Sequence, residues 1–260
     1  MVVEQKAVRE AEEYRTMKAK EISKSKKDGK LVFEIKDVDG SFVNAMRRLV
    51  IEEVPTLAVE FCEFRDNSSA LYDEMMALRL GFTPIKTDLS SYRLPENDLE
   101  VEERSARCTL QLHLKANKKG LVLAGEAQSK DPKCTFVYPG MPIVKLVGKQ
   151  KVDVILTAVM GQGKDHIKWA PGHMWFSQNA ELKIDNKKEM SDEIKKRYPP
   201  QIFEKGKISE DKIRKNNLID AIDGISDFIT VNYVDKDYTV KVESWGQLTC
   251  KEMLSTGAEM

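Results

Sequence analysis

The run Phe42-Val43-Asn44-Ala45-Met46-Arg47-Arg48-Leu49-Val50-Ile51-Glu52-Glu53-Val54-Pro55 constrains this chain more than any other stretch. Its apolar residues Phe42, Ala45, Met46, Leu49 and Val50 recur at helical spacing, which predicts a helix over 42–52. Asp39-Gly40-Ser41 supplies a turn and an N-cap before it, and Pro55 stops the helix from running further. Arg47 and Arg48 stand beside the apolar stripe. Such a helix can pack on one face and hold fixed positive charge toward a neighbour; it can equally be an ordinary surface helix with its arginines in solvent, and the pattern alone does not separate the two.

Around this helix the pattern is mostly β. Residues 17–38 read as two strand-like segments joined by the charged turn Lys24-Ser25-Lys26-Lys27-Asp28-Gly29. Residues 56–66 read as a strand. Ser68 or Ser69 is then expected to cap a helix running to about Leu80, with Leu71, Met75 and Leu78 on one face and Gly81 at its end. Residues 88–104 are acidic and loop-like. From Arg107, Cys108, Leu110, Leu112 and Leu114 share one face, against Thr109, Gln111, His113 and Lys115 on the other. A turn at 117–120 and a returning strand at 121–128 come next, then a second alternation through Val152, Val154, Leu156 and Ala158. Helices are expected at 189–197 and 209–222, strands at 228–234 and 238–243 joined by a turn at 235–237, and a short helix from about Gln247. Residues 1–14, rich in Glu, Arg and Ala, read as a helical or frayed extension.

Composition narrows the function classes. Lys+Arg and Asp+Glu balance at 42 each in 260 residues, which argues against a protein that binds nucleic acid over its whole surface. No apolar run approaches the roughly 20 residues of a membrane span, and the N-terminus lacks the apolar core of a signal peptide, so an intracellular, cytoplasmic protein is expected. Cys62, Cys108, Cys134 and Cys250 are widely spaced and form no Cys-x-x-Cys, so free buried thiols are expected in place of a disulfide framework or zinc ribbon.

No catalytic constellation emerges. Gly161-Gln162-Gly163-Lys164 is not a phosphate loop, because Ala158 stands where the first glycine is needed and Asp165 where Ser or Thr should bind the metal. His113, His166 and His173 lack cysteines or paired carboxylates at ligand spacing. Asp73 and Glu74 are adjacent on a helix and point in different directions.

The residue order adds what spacing cannot. Phe42-x-Asn44-Ala45-Met46-Arg47-Arg48, followed by an acidic pair and Val54-Pro55-Thr56, resembles the signature of the α-like subunits of cellular RNA polymerases, and most closely the D subunit of the archaeal enzyme. The block from Asn67-Ser68-Ser69-Ala70-Leu71-Tyr72-Asp73 through Gly81-Phe82-Thr83-Pro84-Ile85-Lys86-Thr87 is similar along its whole length. Pro142-Ile143-Val144-Lys145-Leu146, then Gly161 to Pro171, and the closing Glu243-Ser244-Trp245-Gly246-Gln247-Leu248 extend the resemblance over about residues 17 to 254.

The resemblance implies an α+β fold: a discontinuous pairing domain from 15–54 and 225–260, an inserted, mostly antiparallel β domain over 55–180, a ferredoxin-like insert over 181–224, and the extension 1–14. It implies a chain with no chemistry of its own that pairs with subunit L and recruits the large catalytic subunits and other small ones, with no direct specific nucleic-acid contact. By the same resemblance, Phe42, Ala45, Met46, Arg47, Arg48, Leu49, Val50, His166, Lys168, Trp169, Trp245 and Leu248 are expected at subunit contacts. Trp169 reads equally as an aromatic anchor and as a lid over the β-domain core. Many subunits of this kind carry an iron–sulfur cluster in the insert, held by cysteines. Here the corresponding positions read Tyr198, Asn216, Ile219 and Ile222, so the cluster is expected to be lost and the insert to rest on Ile202, Phe203, Ile219 and Ile222. The zinc loop of some relatives would fall at 88–107, which has no cysteine, so no zinc is expected. Two other readings stay open: a nucleic-acid-binding module using the lysine-rich 182–216 segment, against which stand its acidic residues and few aromatics, and a metabolic α+β enzyme.

Overall fold

The computed structural model describes residues 17–25, 29–186, 191–204 and 206–260. The expected extension at 1–14, the middle of the expected turn at 24–29 and the first two residues of the helix expected at 189–197 lie outside them. The elements run β1 (Lys18–Ser25), β2 (Lys30–Lys36), α1 (Gly40–Arg48), β3 (Thr56–Asn67), α2 (Asp73–Gly81), α3 (Asp98–Glu102), β4 (Thr109–Ala116), β5 (Gly120–Leu123), β6 (Gln128–Ser129), β7 (Pro142–Leu146), β8 (Val152–Gly161) and β9 (Gly172–Ile184). They continue with α4 (Asp192–Arg197), β10 (Phe203–Glu204), β11 (Lys207–Ile208), α5 (Glu210–Lys215), α6 (Ile219–Ile222), β12 (Ile229–Ser244) and α7 (Cys250–Glu259). Among the described residues no helix is long and apolar enough to cross a membrane.

The fold is mixed α and β with antiparallel sheets. One sheet has the order β1-β2-β12-β9 and another β3-β8-β4-β6. The described residues fall into two compact units. The larger comprises Glu21–Phe33, Ser41–Trp175 and Lys241–Met260; the smaller comprises Glu34–Gly40, Phe176–Val240 and residues 17–20.

The larger unit is built on β8, paired antiparallel with β3 on one side and β4 on the other. The alternation read from the sequence holds: Leu110, Leu112, Leu114, Val152, Val154, Leu156 and Ala158 are all buried in one core with Leu57, Met76 and Leu80. Two expectations fail here. The helix begins at Asp73 without a serine cap, because the Asn67 side chain organises the preceding residues: its Oδ1 accepts from Ser69 N–H at 3.1 Å and its Nδ2 donates to Leu71 O at 2.9 Å. Met76 and Leu80 are the buried residues of this helix, and Met75 and Leu78 are about half exposed. The returning strand ends at Leu123, and a 3-10 turn over Ala124–Glu126 replaces its continuation. Gly125 passes so close to Pro139 that a Cβ would stand 2.7 Å from the proline Cβ.

The predicted Arg-Arg helix is present, but its last turn widens into a π-helix over Leu49–Glu53, closed by Val54 N–H on Leu49 O at 3.3 Å. Pro55 explains the change. It has no N–H for Ile51 O and holds Val54 extended, with ψ of 118°. The loop after β8 packs on this turn: Lys164 N–H donates to Glu52 O at 3.0 Å, and Gly163 lies directly against Ile51 O.

In the smaller unit β12 runs unbroken through the expected turn at 235–237. Asp37 N–H donates to Lys236 O at 2.8 Å, and the buried Asp237 pairs with Lys36 at 3.1 Å and accepts from Asn179 at 2.7 Å. These partners hold the segment in the sheet while Lys236 takes a φ of 53°. The single helix expected at 209–222 is two, α5 and α6, parted by Asn217 at a φ of 52°.

Candidate functional site

Helix α1 buries little of its stripe within its own chain. Val43 and Val50 are fully buried. Phe42 is 40% exposed, Ala45 is open to solvent, and Met46 and Leu49 are half-buried. Val50 is covered by α7: a Cβ on Gly257 would stand 3.0 Å from Val50 Cγ2, so the helices approach this closely only because residue 257 has no side chain. Helix α7 is itself well started. Thr249 and Glu252 form a capping box, with Glu252 N–H on Thr249 Oγ1 at 3.2 Å and Thr249 N–H on Glu252 Oε2 at 2.8 Å.

The two arginines differ in charge balance. Arg48 donates to Glu52, with its closest approach at 3.2 Å, and this hydrogen bond raises the guanidinium pKa further. Arg47 reaches only the neutral Asn44 Oδ1, at 3.0 and 3.1 Å, and forms no ion pair among the described residues. Its charge is therefore the uncompensated one.

The loop after β8 is tied to its own unit. Trp169 donates its indole N–H to Val159 O at 3.0 Å and lies flat against Gly161. Lys168 is consumed inside the chain: it pairs with Glu60, donates to Val59 O at 3.2 Å and sits 4.5 Å from the Trp169 ring centre. His166 is exposed, its ring 5.7 Å from that of Phe82. Trp245 is half-buried and lines a pocket with Phe82, Pro84 and Ile167, whereas Leu248 is 5% exposed and offers almost no outer surface.

The positions matched to cluster ligands lie in the smaller unit. Tyr198 is buried and its hydroxyl hydrogen-bonds Ser226 at 2.8 Å. Ile222 is fully buried, Ile219 packs partly buried against the same core, and Asn216 is exposed at the end of α5. None supplies a thiolate, so the donor set does not fit an iron–sulfur cluster. The core there is Ile202, Ile208, Ile213, Ile222 and Ile229, with Phe203 against it. Two basic residues of the 182–216 segment bond main-chain oxygens of their own unit: Lys212 donates to Phe203 O at 3.0 Å and Arg214 to Ala180 O at 3.1 Å.

Val43 is the buried anchor of α1, and of the residues that the resemblance puts at subunit contacts Val50 and Leu248 are buried within their own chain.

The chain matches the RNA polymerase Rpb3/Rpb11 dimerisation domain over residues 32–260 and belongs to that family. It is similar to the protein named DNA-directed RNA polymerase subunit Rpo3 in Pyrococcus furiosus, at 38% identity over 67% of this chain and 66% of that protein. The protein of that name in Methanosarcina acetivorans is 32% identical over 88% of each chain. That of Thermococcus kodakarensis is 36% identical over 61% of this chain and 59% of the relative.

Proposed function

We propose that this chain is a non-catalytic assembly platform of a DNA-dependent RNA polymerase. It pairs with an L-type, or Rpb11-type, partner and then docks the large catalytic subunits and other small ones, working in the cytoplasm without a direct specific nucleic-acid contact. The observation that carries the reading is the outward face of α1 and its π-helical last turn, where Phe42 and Ala45 are exposed and Met46 and Leu49 only half-buried while Val43 and Val50 anchor it. An apolar helix face anchored from behind is the material of an obligate interface, which is large and more apolar than ordinary surface.

In this reading residues 15–54 and 225–260 make the pairing domain, and 55–180 is the inserted β domain. Residues 181–224 keep a ferredoxin-like frame whose cluster has been replaced by isoleucine packing. The support is the packing of α7 on the π-helical turn and the isoleucine core beside Tyr198. The chain binds no zinc in 88–107, where there is no cysteine. Arg47, whose charge no carboxylate offsets among the described residues, faces the large subunit, and Arg48 is the weaker contributor because Glu52 already holds it. The loop after β8 adds a second contact through His166, with Lys168 and Trp169 shaping it from within.

Reconstitution of polymerase from separate subunits tests this. Arg47→Ala should weaken docking of the large subunits by about tenfold or more, a loss of at least ~1.4 kcal/mol, and Arg48→Ala by less, with L-type pairing intact for both. Full assembly by the double variant would sink the docking role.

A further inference from the structure

The run Gly161-Gln162-Gly163-Lys164, which is no phosphate loop, lies in the larger unit against the π-helical turn that ends the arginine helix. Gly163 passes so close to this turn that a Cβ would stand 2.1 Å from Ile51 O. Only a residue without a side chain lets the loop come this near. Lys164 N–H donates to Glu52 O at 3.0 Å. Glu53 is the centre of the contact. Its main-chain oxygen accepts from Gln162 Nε2 at 2.7 Å, and its carboxylate accepts from the same amide at 3.1 Å and from Lys164 Nζ at 2.7 Å.

The far end of the loop is fastened to the same stretch of chain, where Thr56 Oγ1 donates to Trp169 O at 2.6 Å. Between the two fastenings the loop holds its own shape. Asp165 N–H donates to Gln162 O at 3.0 Å and Lys168 N–H to His166 Nδ1 at 3.1 Å, with His166 exposed. On the helix side, Glu52 offers its main-chain oxygen to the loop and its carboxylate to Arg48. Gln162 and Glu53 stand 109 residues apart in the chain, yet their contact binds the arginine helix to the loop that carries His166.

We propose that Gln162, Gly163 and Lys164 are positioning residues. They form a clasp that fixes the turn after α1, and through it Arg47, in register with His166, so that both reach the large subunit from one rigid surface. This role rests on the docking reading of Arg47 and His166. Gln162 and Lys164 are spent on Glu53 and not offered to a partner, which makes the role one of placement and not of contact. The ion pair adds little by itself, since Lys164 and Glu53 are both partly exposed. The close fit of Gly163 and the amide bonds of Gln162 carry the clasp. A surface held in place before docking avoids the ordering cost that a mobile one would meet on binding.

The test uses the full chain with Gly163→Ala, and with Gln162→Leu as a second variant that removes the amide bonds without forcing the loop away. Val54 N–H closes the π-helical turn on Leu49 O, so it reports on the turn as Lys164 N–H reports on the loop. Hydrogen exchange should show these two amides losing protection together, by about tenfold or more, while the amides along β4 keep theirs. In reconstitution, each variant should leave L-type pairing intact and weaken docking of the large subunits by about tenfold. Where Arg47→Ala and His166→Ala are already present, the same change should cost no more than about twofold, because nothing is left to place. A general loss of stability would not depend on that background. The clasp is overturned if Val54 keeps its protection in both variants, or if docking falls equally in both backgrounds. If Arg47→Ala with His166→Ala leaves docking unchanged, the docking reading has failed and the positioning role falls with it; exchange at Val54 separates that case from a clasp that does not hold.

Discussion

Helix α1 leaves Phe42 40% exposed and Ala45 open, whereas the region around Tyr198 buries Ile202, Ile213 and Ile222 completely. Both are short amphipathic stretches in a heavily charged chain. They differ in where the apolar surface goes. The 198–229 region closes its isoleucines on one another and satisfies the buried Tyr198 hydroxyl through Ser226. Helix α1 and the turn after it use Val43 and Val50 to hold on to their own chain and leave Phe42 and Ala45 outside, with Met46 and Leu49 half-buried. A stripe with an internal anchor and an open flank is built to be completed by another chain, while a closed isoleucine core is complete as it stands.

The largest effect expected from breaking this contrast is on pairing. Phe42→Glu with Ala45→Glu should weaken the complex with an L-type partner by about a thousandfold, or ~4 kcal/mol. Far-UV circular dichroism of the lone chain should not change, since both positions are already exposed. In the closed region, Ile222→Ala should cost ~2–5 kcal/mol. Hydrogen exchange should show 192–229 losing protection while the pair still forms, and anaerobic purification should give no iron–sulfur absorption before or after chelator treatment. A smaller effect is expected where α7 meets the π-helical turn. Gly257→Leu must push Val50 aside, an overpacking cost of ~1–3 kcal/mol that helix propensity offsets by ~1 kcal/mol, read as a lowered Tm. Smallest of the four, Thr249→Ala removes the capping box of α7 and should cost ~1 kcal/mol.

Much of this contrast is legible in the residue order, and the reasons are local. The β4 and β8 alternations can be read because each residue's side follows from a period of two, so Leu110, Leu112, Leu114, Val152, Val154 and Leu156 all fall inside. The helical stripe at 42–50 can be read for the same kind of reason, from a period near 3.6. The features that escape such reading come from side chains that act across a boundary. Asn67 organises the residues before α2, so that the helix starts at Asp73 and not at a serine cap. Asp237 and Asp37 keep β12 continuous through a sequence that looks like a turn. The π-helical turn needs both Pro55 and the approach of Gly163, which is distant in sequence. At the site, the α1 stripe is evident from the pattern, but not which of its residues the chain keeps for itself.

The most direct measurement is co-expression of this chain with an L-type subunit from the same source, followed by size-exclusion chromatography with mass determination, for the unsubstituted chain and for the Phe42→Glu, Ala45→Glu variant. A stable one-to-one complex is expected for the first and separate elution for the second. A lone chain that ignores the partner, or a variant that pairs as well as the original, would contradict the claim that the open face of α1 is where the second chain binds.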